Sequence, residues 1–225
     1  MMDVSIVIPA YNEGKNIEPL LKEIKETFPE YELVVAADGS TDNTEEISRR
    51  YADVVLNGPK EGKGAALNHA FKNTKGELIV MLDADLSHSP KIINKMINFF
   101  NEPGVGMVIA SRRLGSSEDH TPLRDVGNAL LTFFGNIFLS TKLTDILNGF
   151  KVFKKDILGE TGLKTKGFNV EIELIGKTLK NGYKIKEIAD HEFKRAHGKS
   201  NLHSFRDGMK ILIQILKERK GLKKN

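Results

Sequence analysis

Two aspartates one residue apart, Asp83 and Asp85, close the apolar run of "LIVMLDADLSHSP". Side chains alternate along an extended segment, so both carboxylates point to one side and could face a single hard cation. Magnesium or manganese held by one or two carboxylates keeps its remaining positions for water or substrate phosphates, and such an ion would neutralise a diphosphate leaving group. The same residues have a simpler use, since Asp85 or Ser87 could cap a helix that starts near Pro90.

Other polar candidates also follow apolar runs. Asp38 precedes Gly39 and Ser40; a carboxylate there can accept hydrogen bonds from a base or ribose, and the glycine lets a ligand approach the backbone. Asp42 to Thr44 reads as an Asx turn leading into a helix. "GKGAAL", Gly62 to Leu67, is similar to a phosphate-binding loop at a helix start but lacks the spacing of either familiar nucleotide fingerprint. Two tight-turn glycines around a solvated Lys63 would give the same pattern.

The elements that must position these residues alternate. Val4–Pro9, Glu32–Ala37, Asp53–Leu56, Leu78–Asp83 and Gly106–Ser111 read as strands apolar on both faces, the mark of a buried parallel sheet. Between them Ile17, Leu20, Leu21, Ile24 and Phe28 keep helical spacing, as do Ile93, Met96, Ile97 and Phe100. This alternation predicts an α/β fold, a mostly parallel Rossmann-like sheet with helices on both faces, whose ligands bind beyond the carboxyl ends of the strands. Four polar loops gather there.

The second half is less regular. A helix is expected from about Arg124 to Ser140, a strand in "NGFKVF", a helix in "NVEIELIGKTLKN" and a strand in "YKIKEIAD". Past the basic loop "KRAHGKSNLHS", Phe205, Met209, Leu212, Ile213 and Leu216 form one apolar helical face. We expect residues 1–204 to be the catalytic unit and residues 205–225 an amphipathic helix with a basic tail.

Composition narrows the classes. The chain has 225 residues, 40% hydrophobic and 28% charged, enough for one core and ordinary for a globular protein. It has no cysteine, so disulfide frameworks and thiolate metal sites are excluded. No run reaches the ~18 apolar residues of a membrane span, and no basic leader precedes the first strand, so neither export nor spanning is expected. The net charge of +4 is uneven: Lys194 to Asn225 holds ten Lys or Arg against two acids, which suggests an anionic partner. Nucleic acid is disfavoured, because aromatic residues are not interleaved with the basic ones as stacking platforms.

Taken in order, "VSIVIPAYNEGKNI", "DGSTDNT", "GKGAAL", "DADLSHSP", "ASRR", "TDILNGFKVF" and "RAHGKSN" resemble the family 2 inverting glycosyltransferases of GT-A fold. Within them the chain is most similar to the dolichol-phosphate mannose synthase and dolichol-phosphate glucosyltransferase group. The resemblance implies that Pro9, Tyr11, Glu13 and Asp38 surround the nucleoside of a GDP- or UDP-sugar donor, with Lys63 beside it. Asp83 and Asp85 become the pair that binds Mg2+ or Mn2+, and Asp85, Arg112 and Arg195 the catalytic set. Arg112, Arg195 and Arg124 would meet phosphates, while Asp145 and Gly149 would lie on the sugar and acceptor side. Departures stand beside it: Ala37 where an aspartate is usual, Ser87 where many mannose synthases have glutamine, and Asn201 where lysine is usual, with Lys199 as a shifted substitute.

A polyprenyl phosphate acceptor also makes physical sense. A hydroxyl nucleophile must lose its proton to a positioned base, whereas a phosphate monoester, with a second pKa of ~6, is largely ionised at neutral pH. What it needs is cations, for which Arg112, Arg195 and Lys199 are available, with Arg113 read as structural. Glu171 and Glu173 do not share a helix face, so at most one would enter a site, where orienting an arginine is the expected role. The helix from Phe205 to Leu216 would either lie on a membrane surface, aided by Phe133, Phe134 and Phe138, or pack on the core. The expected enzyme is peripheral, on the cytoplasmic membrane face. Transfer to a saccharide hydroxyl and a non-catalytic nucleotide-sugar binding subunit are its rivals.

Overall fold

The computed structural model describes residues 2–37, 39–58, 60–119, 121–198 and 204–222. Asp38, Lys199 and Asn201 lie outside the described residues. The strands are β1 (Val4–Pro9), β2 (Glu32–Ala36), β3 (Val54–Leu56), β4 (Leu78–Met81), β5 (Val105–Ser117), β6 (Lys151–Lys154) and β7 (Lys184–Glu192). They form one sheet in the order β3-β2-β1-β4-β6-β5-β7. The helices are α1 (Ile17–Thr27), α2 (Thr44–Ser48), α3 (Lys63–Lys72), α4 (Ile93–Asn98), α5 (Pro122–Leu139), α6 (Val170–Lys180) and α7 (Ser204–Leu222).

The sheet carries a core on each face, as a βαβ chain must. On one side Ile6, Ile8, Leu33, Val35 and Val80 pack against Ile17, Leu20, Leu21 and Ile24 of α1. On the other Val7, Val34, Met81 and Ile109 meet Leu67 and Phe71 of α3 and Ile172 and Ile175 of α6. The strands expected to be buried are so, except β3, whose three residues are only half-buried at the sheet edge.

One strand runs the other way. β6 lies antiparallel between β4 and β5, with Lys151 opposite both Met81 and Ile109. Its reversal places the loop before it, Asn148 to Phe150, at the same edge as the loop after β4. That is how Gly149, far along the chain, reaches Asp83: a Cβ on Gly149 would collide with Asp83 Oδ2 and stand 3.0 Å from Lys63 Nζ.

β5 runs six residues past its expected end, with an irregularity between Ser111 and Ser116 where its pairing to β7 shifts. Bulges of this kind re-aim side chains. Here it carries Arg112.

The last helix packs on the core through one side and leaves the other uncovered. Ile211 and Ile215 of α7 are buried in the core. Phe205, Met209, Ile213 and Leu216, four of the five residues of the apolar face, point outward, Phe205 at 86% exposure. Val126, Leu130, Phe133 and Ile137 of the neighbouring α5 are also exposed.

Candidate active site

Two loops at the sheet edge are laced together first. Asn12 Oδ1 accepts from the Thr41 amide at 2.8 Å, the Glu13 amide donates to Thr44 Oγ1 at 2.9 Å, and the Gly14 amide donates to Asp42 Oδ2 at 3.0 Å. The Thr44 amide donates to Asp42 Oδ1 at 3.0 Å, so the Asx turn read from the sequence is present. This lacing fixes the loop that carries Tyr11 and Glu13. Lys60 sits 4.3 Å over the Tyr11 ring and donates to its hydroxyl.

Beyond these loops opens a cavity of about 460 Å³. Pro9, Tyr11, Glu13, Lys63, Asp83, Asp85, Arg112, Arg124, Gly149 and Arg195 all line it, so residues spread over nearly 190 positions of the chain converge. Its lining also has apolar members, Leu131 of α5, Leu147, Phe168 and Ile211 of α7.

The aspartate pair does not cap a helix. That task falls to Ser89, whose hydroxyl accepts from the Lys91 amide. Asp85 Oδ1 instead accepts from the Ser87 amide at 3.1 Å and the Ser87 hydroxyl at 2.6 Å, leaving Oδ2 to meet Arg195 Nη2 at 2.8 Å. Asp83 Oδ1 takes Lys63 Nζ at 2.7 Å. Burial disfavours the Asp83 charge, but Lys63, with smaller help from Arg195, outweighs it and holds the carboxyl below its ordinary range.

Lys63 is a site residue rather than a solvated lysine, its side chain 13% exposed. Burial opposes its charge, yet Asp83 and Glu171 outweigh that and hold it protonated above its ordinary value. Its Nζ stands 3.2 Å from Glu171 Oε1, close but not aligned as a hydrogen bond, while Glu171 Oε2 accepts from the fully buried Lys151 at 2.8 Å. One of the two α6 glutamates therefore enters the site, as expected, but it orients lysines and not an arginine. Glu173 turns away to the Lys164 and Thr165 amides.

The "GKGAAL" segment departs from the phosphate-loop likeness. The Gly64 amide at the start of α3 is satisfied by the Lys166 carbonyl at 2.9 Å. A Cβ on Gly62, at φ +109°, or on Gly64 would collide with the backbone of residues 165–167. These glycines admit a crossing chain, and the segment's contribution to the cavity is the Lys63 side chain.

Arg195, after β7, bridges Asp85 and Glu13, reaching Glu13 Oε1 at 2.8 Å. Burial lowers its basicity, but Asp85 and Glu13 outweigh this and raise it above its ordinary value. Asn16 holds the same loop by donating to the His197 carbonyl at 3.1 Å.

Arg112 is engaged differently. Its Nε and Nη2 donate to the two oxygens of Asp145 at 2.6 and 2.9 Å, and Nη1 donates to Glu192 at 3.1 Å. Its guanidinium is spent on two buried carboxylates. Asp145 does not line the large cavity; it stands behind Arg112 beside a small cavity of about 30 Å³. Burial alone would raise the Asp145 pKa, and Arg112 more than reverses it. Arg124 pairs with Asp119 at 2.7 Å on the rim, and Arg113 donates to the Asp125 carbonyl at 3.0 Å, a structural contact.

Residues 5–162 match the family described as Glycosyl transferase family 2. The chain belongs to that family. It is 33% identical over 214 residues to the dolichol-phosphate mannosyltransferase of Pyrococcus furiosus, covering 89% of this chain and 59% of that protein. It is 31% identical over 213 residues to the low-salt glycan biosynthesis hexosyltransferase of Haloferax volcanii, covering 91% of this chain and 51% of that protein. The chain thus spans little more than half the length of these two relatives. Glucosyl-3-phosphoglycerate synthase of Mycobacterium tuberculosis in complex with Mn2+, UDP and glucosyl-3-phosphoglycerate superposes with a TM-score of 0.76 at 22% identity, over 97% of this chain and 80% of that one. That likeness is one of fold, and the GT-A expectation holds.

The donor set of this family 2 site suits a hard divalent cation. Asp83 and Asp85 both turn into the cavity, and each already satisfies a positive charge. Among the described residues no third His, Asp or Glu joins them in a cluster. Two carboxylates are what a cation shared with substrate phosphates requires.

Among the cavity residues that the sequence left unmarked are His88 and Glu192, with Asp190 in contact with His88. Asp190 and Glu192 lie two apart on β7 and so share a face. "ADHEF" offered that spacing as a signal.

Proposed function

We propose that the chain is an inverting hexosyltransferase that moves mannose, glucose or N-acetylglucosamine from a GDP- or UDP-sugar to a polyprenyl phosphate with Mg2+ or Mn2+. The observation that carries this reading is the cluster of Asp83, Asp85, Lys63 and Arg195, two anions and two cations lining one cavity that also has apolar lining residues. A metal bound at the pair supplies positive charge to a departing diphosphate.

The chain's own residues divide the remaining work. Tyr11 and Glu13, held by the laced loops, form the donor-side wall. Lys63 and Arg195, once the metal takes their place on the aspartates, are the cations free to hold donor and acceptor phosphates, arginine by its forked donors. Arg124 guards the rim. Arg112, locked by Asp145 and Glu192, shapes the wall rather than gripping a phosphate.

Every described carboxylate on the cavity wall is paired with a cation: Glu13 and Asp85 with Arg195, Asp83 and Glu171 with Lys63, Asp119 with Arg124, and Glu192 with Arg112. None of these carboxylates stands ready as a base for a hydroxyl, and the cations among them suit an anionic acceptor.

A lipid acceptor calls for a membrane surface. Val126, Leu130, Phe133 and Ile137 of α5 with Phe205, Met209, Ile213 and Leu216 of α7 expose apolar side chains on the helices whose inner residues wall the cavity. Among the described residues no helix is long and apolar enough to cross a membrane. These observations support peripheral attachment, which we place on the cytoplasmic face; no nucleic-acid partner is proposed.

The test is a panel of radiolabelled nucleotide sugars offered with polyprenyl phosphate and a divalent cation. A charged, mild-acid-labile lipid product is expected. A neutral glycoside would select the hydroxyl acceptor, and donor binding without transfer would select a binding subunit.

A further inference from the structure

One group on the cavity wall reverses the pattern of every carboxylate there. His88, in the loop after β4, lines the cavity, and its Nδ1 lies 2.5 Å from Asp190 Oδ2 of β7. Both side chains are buried, 4% and 3% exposed. A carboxylate oxygen accepts the hydrogen bond when Nδ1 carries the hydrogen, and in that tautomer the uncharged ring has its lone pair on Nε2. No described residue bonds Nε2. The ring leans on Phe150, centroids 5.7 Å apart, and the Phe193 amide donates to the Ser87 carbonyl at 2.8 Å, tying the β4 and β7 loops on either side of the pair.

The cavity carboxylates are quenched by cations, whereas this imidazole is backed by an anion. Asp190 fixes the tautomer and offsets the charge that the ring would gain on taking up a proton. We propose that His88 is the proton acceptor of the transfer, taking through Nε2 the proton that the acceptor's reacting oxygen still carries. The bond between that oxygen and the sugar's anomeric carbon forms as the bond from that carbon to the donor diphosphate breaks. The electron pair leaves with the nucleoside diphosphate, and the proton goes to Nε2. For a polyprenyl phosphate this recruits the monoprotonated form, a substantial fraction near its second pKa of ~6; for water, which hydrolyses the donor slowly, the proton must always be removed. The inference rests on the proposed glycosyl transfer, while Asp190 is a positioning residue.

The experiment compares wild type, His88→Gln, His88→Ala and Asp190→Asn with polyprenyl phosphate, and separately measures donor hydrolysis without acceptor. His88→Gln keeps a donor for Asp190 but cannot take a proton. It should lower kcat by ~10²-fold in donor hydrolysis, and in lipid transfer chiefly below pH ~6 where the acceptor is monoprotonated, while donor KM and nucleoside diphosphate affinity stay within about twofold. Free imidazole should restore part of the His88→Ala rate, and nitrogen NMR should show the Nδ1–H form in wild type but not in Asp190→Asn. Wild-type hydrolysis rates in His88→Gln, or a loss that follows donor affinity and is not rescued by imidazole, would overturn the proposal. Should the lipid phosphate not be used at all, the proposed acceptor falls, and the hydrolysis rates of the same variants still decide the role of His88.

Discussion

Asp83 and Asp145 are both carboxylates held by a cation, yet the two regions use the pairing to opposite ends. Asp145 is 5% exposed and gives both oxygens to one guanidinium, whose remaining nitrogen is held by Glu192. Asp83 is 32% exposed and meets a single ammonium through one oxygen, and Asp85, 14% exposed, shares its arginine with Glu13. A buried forked pair costs several kcal/mol to break, because removing one partner strands the other. A single contact through one oxygen, as Asp83 makes to Lys63, lacks the second parallel bond of a forked pair. The first pairing fixes the wall of the cavity; the second, on the proposed function, would yield to a divalent cation.

Mutations can break this contrast from either side. The largest effect is expected at the metal pair: Asp85→Ala should lower metal-dependent turnover by ~10³-fold, since a bound ion supplies several kcal/mol to charge stabilisation. Its thermal unfolding midpoint should stay near wild type. Near-normal rates would remove the metal role.

Asp145→Ala should do the reverse, destabilising the fold by about 3–5 kcal/mol in urea because Arg112 loses its forked partner and keeps a buried charge met by Glu192 alone. An unfolding curve unchanged from wild type would mean that the pair is not structural.

Arg195→Ala sits between the two regions. It should raise acceptor KM about tenfold more than it weakens donor affinity, as one charge-assisted contact to phosphate is worth roughly 1.5–3 kcal/mol. An unchanged acceptor response would reassign it.

Acid should sharpen the contrast with the smallest signal. Asp145 and Asp83 both titrate below their ordinary values, so the unfolded chain takes up their protons first as pH falls. Their stabilisation is complete above the unfolded value of ~4 and is lost as pH drops through the lower folded values. Replacing Asp145 with Asn should flatten the acid limb of unfolding free energy more than the same change at Asp83.

The half of the site that sequence disclosed is the half whose contacts are local or follow strand ends. Asp83 and Asp85 could be read because period-two alternation and the end of an apolar run are visible in ten residues. The Asx turn at Asp42 and the entry of a single α6 glutamate were legible for similar reasons. The remainder depends on long-range partners. Nothing near "LSHSP" says that His88 meets Asp190, 102 residues later, nor does "ASRR" show that Arg112 is consumed by Asp145 and Glu192. The direction of β6 was equally hidden, because an apolar run carries no sign of which way it pairs. In α7 the two apolar patterns overlap, and only packing shows that Ile211 and Ile215 face inward while Phe205 and Ile213 face out.

The central claim is that Lys63 and Arg195 hold the places of a divalent cation on Asp83 and Asp85. Anomalous scattering from crystals soaked with manganese and a nucleoside diphosphate tests it most directly. The account predicts one manganese peak on these two carboxylates, with both ion pairs opened. A peak elsewhere, or none with both pairs still closed, would contradict it.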